Sequence, residues 1–85
     1  MPPIEIYTTP TCGYCHAAKR LLAQKGVTYT EYDVIRDPSK RGEMLGRSNG
    51  RRTVPQIFVG ETHVGGCDDL YAMERSGTLD PLLGV

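Results

Sequence analysis

Two cysteines separated by two residues, Cys12 and Cys15, carry the clearest chemical potential in this sequence. Two intervening residues allow the two sulfur atoms to approach within disulfide geometry. The pair follows a predicted strand and opens a predicted helix. A Cys-x-x-Cys pair in that position is typical of redox catalysis. The spacing therefore predicts thiol–disulfide exchange.

The start of a helix makes the two thiols unequal. Unpaired backbone N–H groups and the positive end of the helix dipole stabilise negative charge at the first helical position. The thiolate is the attacking form of cysteine, so Cys12 benefits most. Cys15 lies three residues further on, on the same side and one turn deeper. We therefore expect Cys12 to be the nucleophile and Cys15 the resolving thiol.

The elements that must position this pair follow the order β-α-β-α-β-β-α. Alternating or β-branched segments predict strands at residues 4–7, 27–34, 56–59 and 62–64. Helical spacing predicts helices at 12–25, 38–47 and 67–76, with Thr11 and Asp37 as N-caps. This order indicates an α/β fold with a mixed sheet and helices packed on its faces, in an undetermined strand order. The core is expected to include Met44, Phe58, Leu70 and Met73.

Composition limits the class of protein. The chain has 85 residues, which predicts one domain spanning 1–85. Its 10 basic and 10 acidic residues give no reason to expect a nucleic-acid partner. No apolar run is long enough to span a bilayer, and residues 1–5 do not resemble a secretory signal. Three cysteines, an odd number, make a poor disulfide framework and favour a reducing, cytoplasmic location.

The cysteines could also serve a zinc site or a structural disulfide. A zinc site would need two further ligands, for which Cys67, His16 and His63 are the candidates, but the sequence has no second Cys-x-x-Cys pair. His16 and His63 are expected at the surface. A structural disulfide between Cys12 and Cys15 would close only a four-residue loop and contribute little.

Three segments of the sequence resemble the glutaredoxin family in order and spacing. They are residues 7–15, 53–58 and 65–70, with the sequences YTTPTCGYC, TVPQIF and GGCDDL. The resemblance covers nearly the whole chain. It implies a thioredoxin fold with a four-stranded mixed sheet and helices on both faces. It also implies glutathione-dependent reduction of protein disulfides and of protein–glutathione mixed disulfides.

The same resemblance implies a glutathione site. Pro55 corresponds to a cis-proline that faces the cysteines, and the Val54 backbone corresponds to a strand that pairs with glutathione. The region of Cys67 and Asp68 corresponds to the part that binds the γ-glutamyl end. The expected contacts are Tyr14, Arg52, Thr53, Val54, Pro55, Gly66, Cys67 and Asp68.

Simpler roles remain open for several of these residues. Tyr14 could be an ordinary surface tyrosine, and Asp69 could do no more than cap a helix. Cys67 is expected to be a non-catalytic core residue.

The sequence departs from the family at two positions. Many members carry lysine at the position of Thr9, where it pairs with a glutathione carboxylate, and Arg51 or Arg52 could replace that charge. The alternative is that the two arginines belong to a solvated loop. The second departure is Gly13, where many dithiol members carry proline.

Two other functions stay open at this stage. The first is a cluster-bridged dimer, a carrier or sensor in which Cys12 of two chains and two glutathione thiols hold a [2Fe–2S] cluster. In the redox form we expect a monomer that binds no metal. The second is a small redoxin coupled to thioredoxin reductase, although the segment at residues 65–69 argues for glutathione.

Overall fold

The computed structural model describes residues 2–85. Its elements are β1 (Ile4–Thr8), α1 (Gly13–Gln24), β2 (Thr30–Asp33), α2 (Pro38–Arg47), β3 (Gln56–Val59), β4 (Thr62–Gly65), α3 (Cys67–Ser76) and α4 (Leu79–Leu83). The predicted β-α-β-α-β-β-α order is confirmed, and one more helix follows it. None of the helices within residues 2–85 has both the length and the apolar character that crossing a membrane requires.

The four strands form one mixed sheet in the order β2-β1-β3-β4. β1 runs parallel to β2 and antiparallel to β3, and β3 runs antiparallel to β4. The parallel pair is joined through α1, as a βαβ unit requires, and β3 and β4 form a hairpin. This strand order could not be deduced from the sequence.

Helices cover both faces of the sheet, as predicted. Successive strand residues point to opposite faces, so Ile4 and Ile6 of β1 join the core cluster beneath α1, α3 and α4. Tyr7 belongs to the second cluster, on the face covered by α2. The second cluster consists of Tyr7, Val34, Met44 and Phe58. Of the predicted core residues, Met44, Phe58 and Leu70 are buried, whereas Met73 is only half-buried against the first cluster.

Two predicted boundaries were wrong. Thr11 does not cap α1: the N-cap is Cys12, because its sulfur accepts the N–H of Cys15 and so replaces a hydroxyl cap. The second strand begins at Thr30 rather than at residue 27, because β1 offers parallel partners only for residues 30–33. Val27 is instead buried in the first core cluster. The predicted α2 is confirmed, with Asp37 accepting the Ser39 N–H at 3.2 Å.

The sequence pattern did not predict α4. Leu79 and Leu83 of this helix are fully buried in the first cluster, and Gly84 ends it with a φ of 82°. A five-residue helix containing Pro81 is too short for periodicity to reveal. Lys25 at the end of α1 ties the region together, because its ammonium lies 2.7 Å from Glu74 and 2.8 Å from Asp80.

We expect Leu83→Ala to lower the free energy of unfolding by about 2–4 kcal/mol, because it empties a fully enclosed site. The matched change Leu82→Ala removes the same atoms from a half-buried side chain and should cost about 1 kcal/mol. Urea unfolding of both variants measures the difference. Equal losses would show that α4 does not complete the core.

Candidate active site

Strand pairing brings three distant segments to one edge of the sheet. Tyr7 near the end of β1 pairs with Gln56 at the start of β3, because these strands are antiparallel. Ile57 in turn pairs with Gly65 at the end of β4. The loop before α1, the loop before β3 and the start of α3 therefore lie side by side. These are the three segments that carry the motifs identified in the sequence.

Cys12 is held at the start of α1 by its own capping interaction. Its backbone is extended, with φ −92° and ψ 111°, and its sulfur accepts the Cys15 N–H at 3.2 Å. The thiol is half-buried, and its sulfur lies 3.7 Å from the carbonyl oxygen of Val54. The sulfur therefore lies at a helix N-terminus, where the unpaired backbone N–H groups point outward. This geometry suits Cys12 to nucleophilic attack.

Cys15 differs from Cys12 in exposure. It is fully buried, one turn into α1. Burial, and then the contact with Cys12, raises the pKa of Cys15 to about 12. The third thiol, Cys67, is also buried, and burial followed by the charge of Asp68 raises its pKa. The predicted difference in burial between the paired cysteines is confirmed.

A groove of about 500 Å³ lies beside the pair. Most of the residues expected to contact glutathione line it. The lining consists of Tyr14, Arg51, Thr53, Val54, Pro55, Gly66, Cys67 and Asp68. Tyr14 is 73% exposed, so it lines the groove from the surface and does not pack in the core. Arg51 is in the lining, whereas Arg52 is not part of it.

The wall of the groove opposite α3 is the loop before β3. The Val54–Pro55 peptide bond is cis, as the resemblance implied. Gln56, which the sequence analysis did not single out, supports this loop. It is fully buried, and its side-chain N–H group donates to the carbonyl of Thr53 at 3.0 Å. Its amide oxygen pairs with His63 Nε2 at 2.7 Å.

His63 is half-buried and stacked on Phe58, so it lies only partly at the surface, whereas His16 is exposed as predicted. The signal that could have revealed Gln56 is a polar residue inside an otherwise apolar, four-residue buried strand.

The other wall of the groove is the start of α3. Gly66 is the N-cap of this helix, and its N–H donates to Asp69 at 2.8 Å. Asp69 therefore caps α3, one of the two roles left open by the sequence. The following N–H groups, at Cys67 and Asp68, are at the first turn of a helix, where a carboxylate can be received.

Two further features from the sequence are Gly13 and the candidate zinc ligands. A Cβ at Gly13 would meet nothing within 4 Å, so the space beside Cys12 is open. Within residues 2–85, no group of three or more His, Cys, Asp and Glu side chains is close enough to hold one metal ion. Cys67, His16 and His63 thus do not gather with the cysteine pair into a zinc site in this part of the chain.

Comparison with known proteins was consistent with this geometry. Residues 4–64 match the sequence model of the family described as Glutaredoxin. The chain is 57% identical to Glutaredoxin 3 of Escherichia coli strain K12 over 83 residues, covering 98% of this chain and 99% of that protein.

Two solved structures are similar over 98% of this chain and 77% of theirs. The buckwheat glutaredoxin–glutathione complex superposes with a TM-score of 0.88 at 32% identity. The holo form of glutaredoxin C1 from Populus tremula × tremuloides has a TM-score of 0.86 at 34% identity.

We expect iodoacetamide to modify Cys12 alone in the folded, reduced protein between about pH 7 and 9. Cys15 stays protonated below its raised pKa and is enclosed, and a protonated, enclosed thiol reacts slowly. Peptide mass spectrometry against time measures each site, and the same reaction in denaturant, where all three thiols should react, is the control. Modification of Cys15 as fast as Cys12 would contradict the predicted asymmetry.

Proposed function

Because this chain belongs to the glutaredoxin family and is a glutathione-dependent thiol–disulfide oxidoreductase with a thioredoxin-like fold, we propose that Cys12 is its attacking thiol and that glutathione binds in the adjoining groove. One observation carries this proposal. The half-buried sulfur of Cys12 accepts an N–H at a helix start. It lies 3.7 Å from the carbonyl oxygen of Val54, a residue that lines a groove of about 500 Å³. No other thiol of the described residues combines exposure with such a position.

Reduction of a protein–glutathione mixed disulfide needs only Cys12. Its thiolate attacks the glutathione sulfur, a Cys12–glutathione disulfide forms, and the bond to the substrate protein breaks. The substrate leaves as a thiolate and takes a proton from water. A second glutathione thiolate then attacks the bound glutathione sulfur, which forms glutathione disulfide and returns Cys12 as a thiolate.

Reduction of a protein disulfide uses both cysteines. Cys12 attacks one sulfur of the substrate and forms a mixed disulfide, releasing the other sulfur as a thiolate. Cys15 then loses its proton and attacks the Cys12 sulfur, which releases the reduced substrate and leaves a Cys12–Cys15 disulfide. Two glutathione molecules reduce this disulfide in two exchange steps, which form glutathione disulfide and return Cys12 and Cys15 as thiols. The step at Cys15 follows the step at Cys12, because the bond that Cys15 attacks is the disulfide between Cys12 and the substrate.

Different groups of the groove would bind different parts of glutathione. The Val54 backbone would pair with the backbone of glutathione, as an added strand does. The N–H groups at Cys67 and Asp68 would receive the α-carboxylate of the γ-glutamyl residue, and the Asp68 carboxylate would receive its ammonium group. Gly66 allows close approach, and Tyr14, Thr53 and Pro55 complete the walls.

We place this reaction in the cytoplasm, with residues 1–85 acting as one monomeric domain. A cysteine pair that must be returned to the dithiol by glutathione requires a reducing compartment. Its partners would be glutathione and proteins that carry disulfides or bound glutathione.

We expect Cys12→Ser to abolish reduction of all substrates, because no other accessible thiol remains at the groove. Cys15→Ser should retain reduction of glutathionylated peptides and lose reduction of protein disulfides. Turnover coupled to glutathione reductase measures both. Activity in Cys12→Ser, or turnover of the parent protein with thioredoxin reductase in place of glutathione, would contradict the proposal.

A second function is favoured by one specific observation, the open space at Gly13 beside the half-buried Cys12. A poplar relative has been crystallised in a holo form. Cys12 is chemically suited to a [2Fe–2S] cluster because iron–sulfur clusters are held by thiolates. The buried Cys15 and Cys67 are not available to a bridging group, so one chain offers one ligand. We propose that two chains, with two glutathione thiols, could hold such a cluster, which would supply carrier or sensor chemistry.

We expect anaerobic incubation with iron, sulfide and glutathione to give a coloured dimer, seen by absorption spectroscopy and size-exclusion chromatography. Cys12→Ser should remain a colourless monomer because it lacks the ligand. Gly13→Pro, which fills the open space and stiffens the loop, should reduce the coloured fraction. A colourless monomer from the parent protein would exclude the cluster, and a coloured Cys12→Ser dimer would exclude Cys12 as a ligand.

A further inference from the structure

An ion pair lies at the α3 end of the groove. The guanidinium of Arg51 is 3.3 Å from the Asp69 carboxylate, and Arg51 lines the groove. The same Asp69 oxygen accepts the N–H of Gly66 at 2.8 Å. A single carboxylate thus joins the start of α3 to a side chain from the loop that precedes β3.

Arg51 is held at its backbone carbonyl as well as at its guanidinium group. The hydroxyl of Ser48, which is buried, donates to the Arg51 carbonyl at 3.1 Å. Asn49 and Gly50 between them have φ values of 57° and 86°, which turn the chain sharply after α2. This loop conformation directs Arg51, and not its neighbour Arg52, to the groove.

Gly65 leaves the space that the ion pair occupies. A Cβ at this position would lie 2.3 Å from Asp69 Oδ2 and 2.9 Å from Arg51 Nη1. Its φ of 112° is also in the region that favours glycine. The first glycine of the Gly65-Gly66 pair therefore has a specific consequence: it permits Arg51 and Asp69 to meet over the backbone.

Stability alone does not explain this arrangement. The side chains of Arg51 and Asp69 are 45% and 44% exposed, and ion pairs this exposed contribute little to folding. A guanidinium has five N–H donors, and the structure gives Arg51 one side-chain hydrogen bond, to Asp69. Donors thus remain for a second carboxylate. The chain also lacks a lysine at Thr9 that could supply positive charge to the groove.

We infer that Asp69 is a positioning residue that holds Arg51 so that its guanidinium binds the α-carboxylate of the γ-glutamyl residue of glutathione. The inference rests on the proposed glutathione site. A Cβ at Gly66 would lie 3.8 Å from Arg51 Nη2 and 3.3 Å from Asp68 Oδ1, so a cationic and an anionic group flank one point of the backbone. An α-amino acid end, with its carboxylate and its ammonium, is complementary to that pair of charges.

Steady-state kinetics with a glutathionylated peptide tests this role. We expect Arg51→Ala to raise KM about five- to tenfold with kcat changed less than about twofold, since a half-exposed charged hydrogen bond is lost. Asp69→Asn keeps an oxygen that can cap α3 and loses the charge, so it should raise KM about threefold. Arg41→Ala, which removes an exposed arginine of α2, should leave both constants unchanged.

The double variant separates positioning from capping. If Asp69 acts through Arg51, adding Asp69→Asn to Arg51→Ala should raise KM no further. An equal additional rise would overturn the positioning role, because Asp69 would then act alone. An unchanged KM in Arg51→Ala, or a rise in Arg52→Ala instead, would overturn the assignment of Arg51.

The choice of carboxylate is tested with a peptide bonded to the glycine ethyl ester of glutathione. Arg51→Ala should raise KM by the same factor for the ester as for the acid. If the effect of Arg51→Ala disappears with the ester, the arginine binds the glycine carboxylate and the assignment is overturned. Turnover by the parent protein in the same assay shows whether the proposed function itself holds, independently of these variants.

Discussion

The antiparallel pairing of β1 with β3 is the constraint on which the site depends. It places Tyr7 opposite Gln56. The segment that runs from β1 to Cys12 therefore begins next to the segment that runs from Pro55 into β3. Local structure cannot bring the Cys12 loop and the Pro55 loop together, since more than 40 residues separate them in the chain. Burial of alternate residues on both faces fixes the register, because a shift of one residue would move Ile6 to the face of Tyr7. Accurate geometry at the site is therefore a consequence of a well-packed core.

The start of α1 shows how one interaction serves both folding and chemistry. A helix needs an acceptor for its first N–H groups, and the Cys12 sulfur is that acceptor for Cys15. The same contact places the sulfur where backbone N–H groups stabilise negative charge. The thiol of Cys12 is therefore also the cap of the helix. The other cysteine of the pair lies at the third helical position, where its side chain is buried in the core.

Features set by local sequence were predictable, and features set by packing were not. The cysteine pair and the α2 cap at Asp37 are recognisable because each acts within a few residues. Strand order, by contrast, depends on which faces are buried together. α4 is helical because Leu79 and Leu83 fill the core, and five residues hold no periodic signal. The choice between Arg51 and Arg52 could not be made from the sequence. It depends on two contacts of Arg51, one to Ser48 before it in the chain and one to Asp69 well after it.

The polar residues that support the groove also depend on contacts between separate elements, which the local sequence does not reveal. Gln56 is buried between Thr53 and His63. Its side-chain N–H groups bond to Thr53 in the preceding loop, and its amide oxygen bonds to His63 in β4. A buried amide without partners would cost free energy, so its presence in β3 requires that both partners be in place. It thereby links the loop that carries Val54 to β4, the strand that ends at Gly65. The two walls of the groove, one before β3 and one after β4, are thus fixed relative to each other by the hairpin and by this amide. A ligand that touches both walls meets a preformed surface, which lowers the entropic cost of binding it.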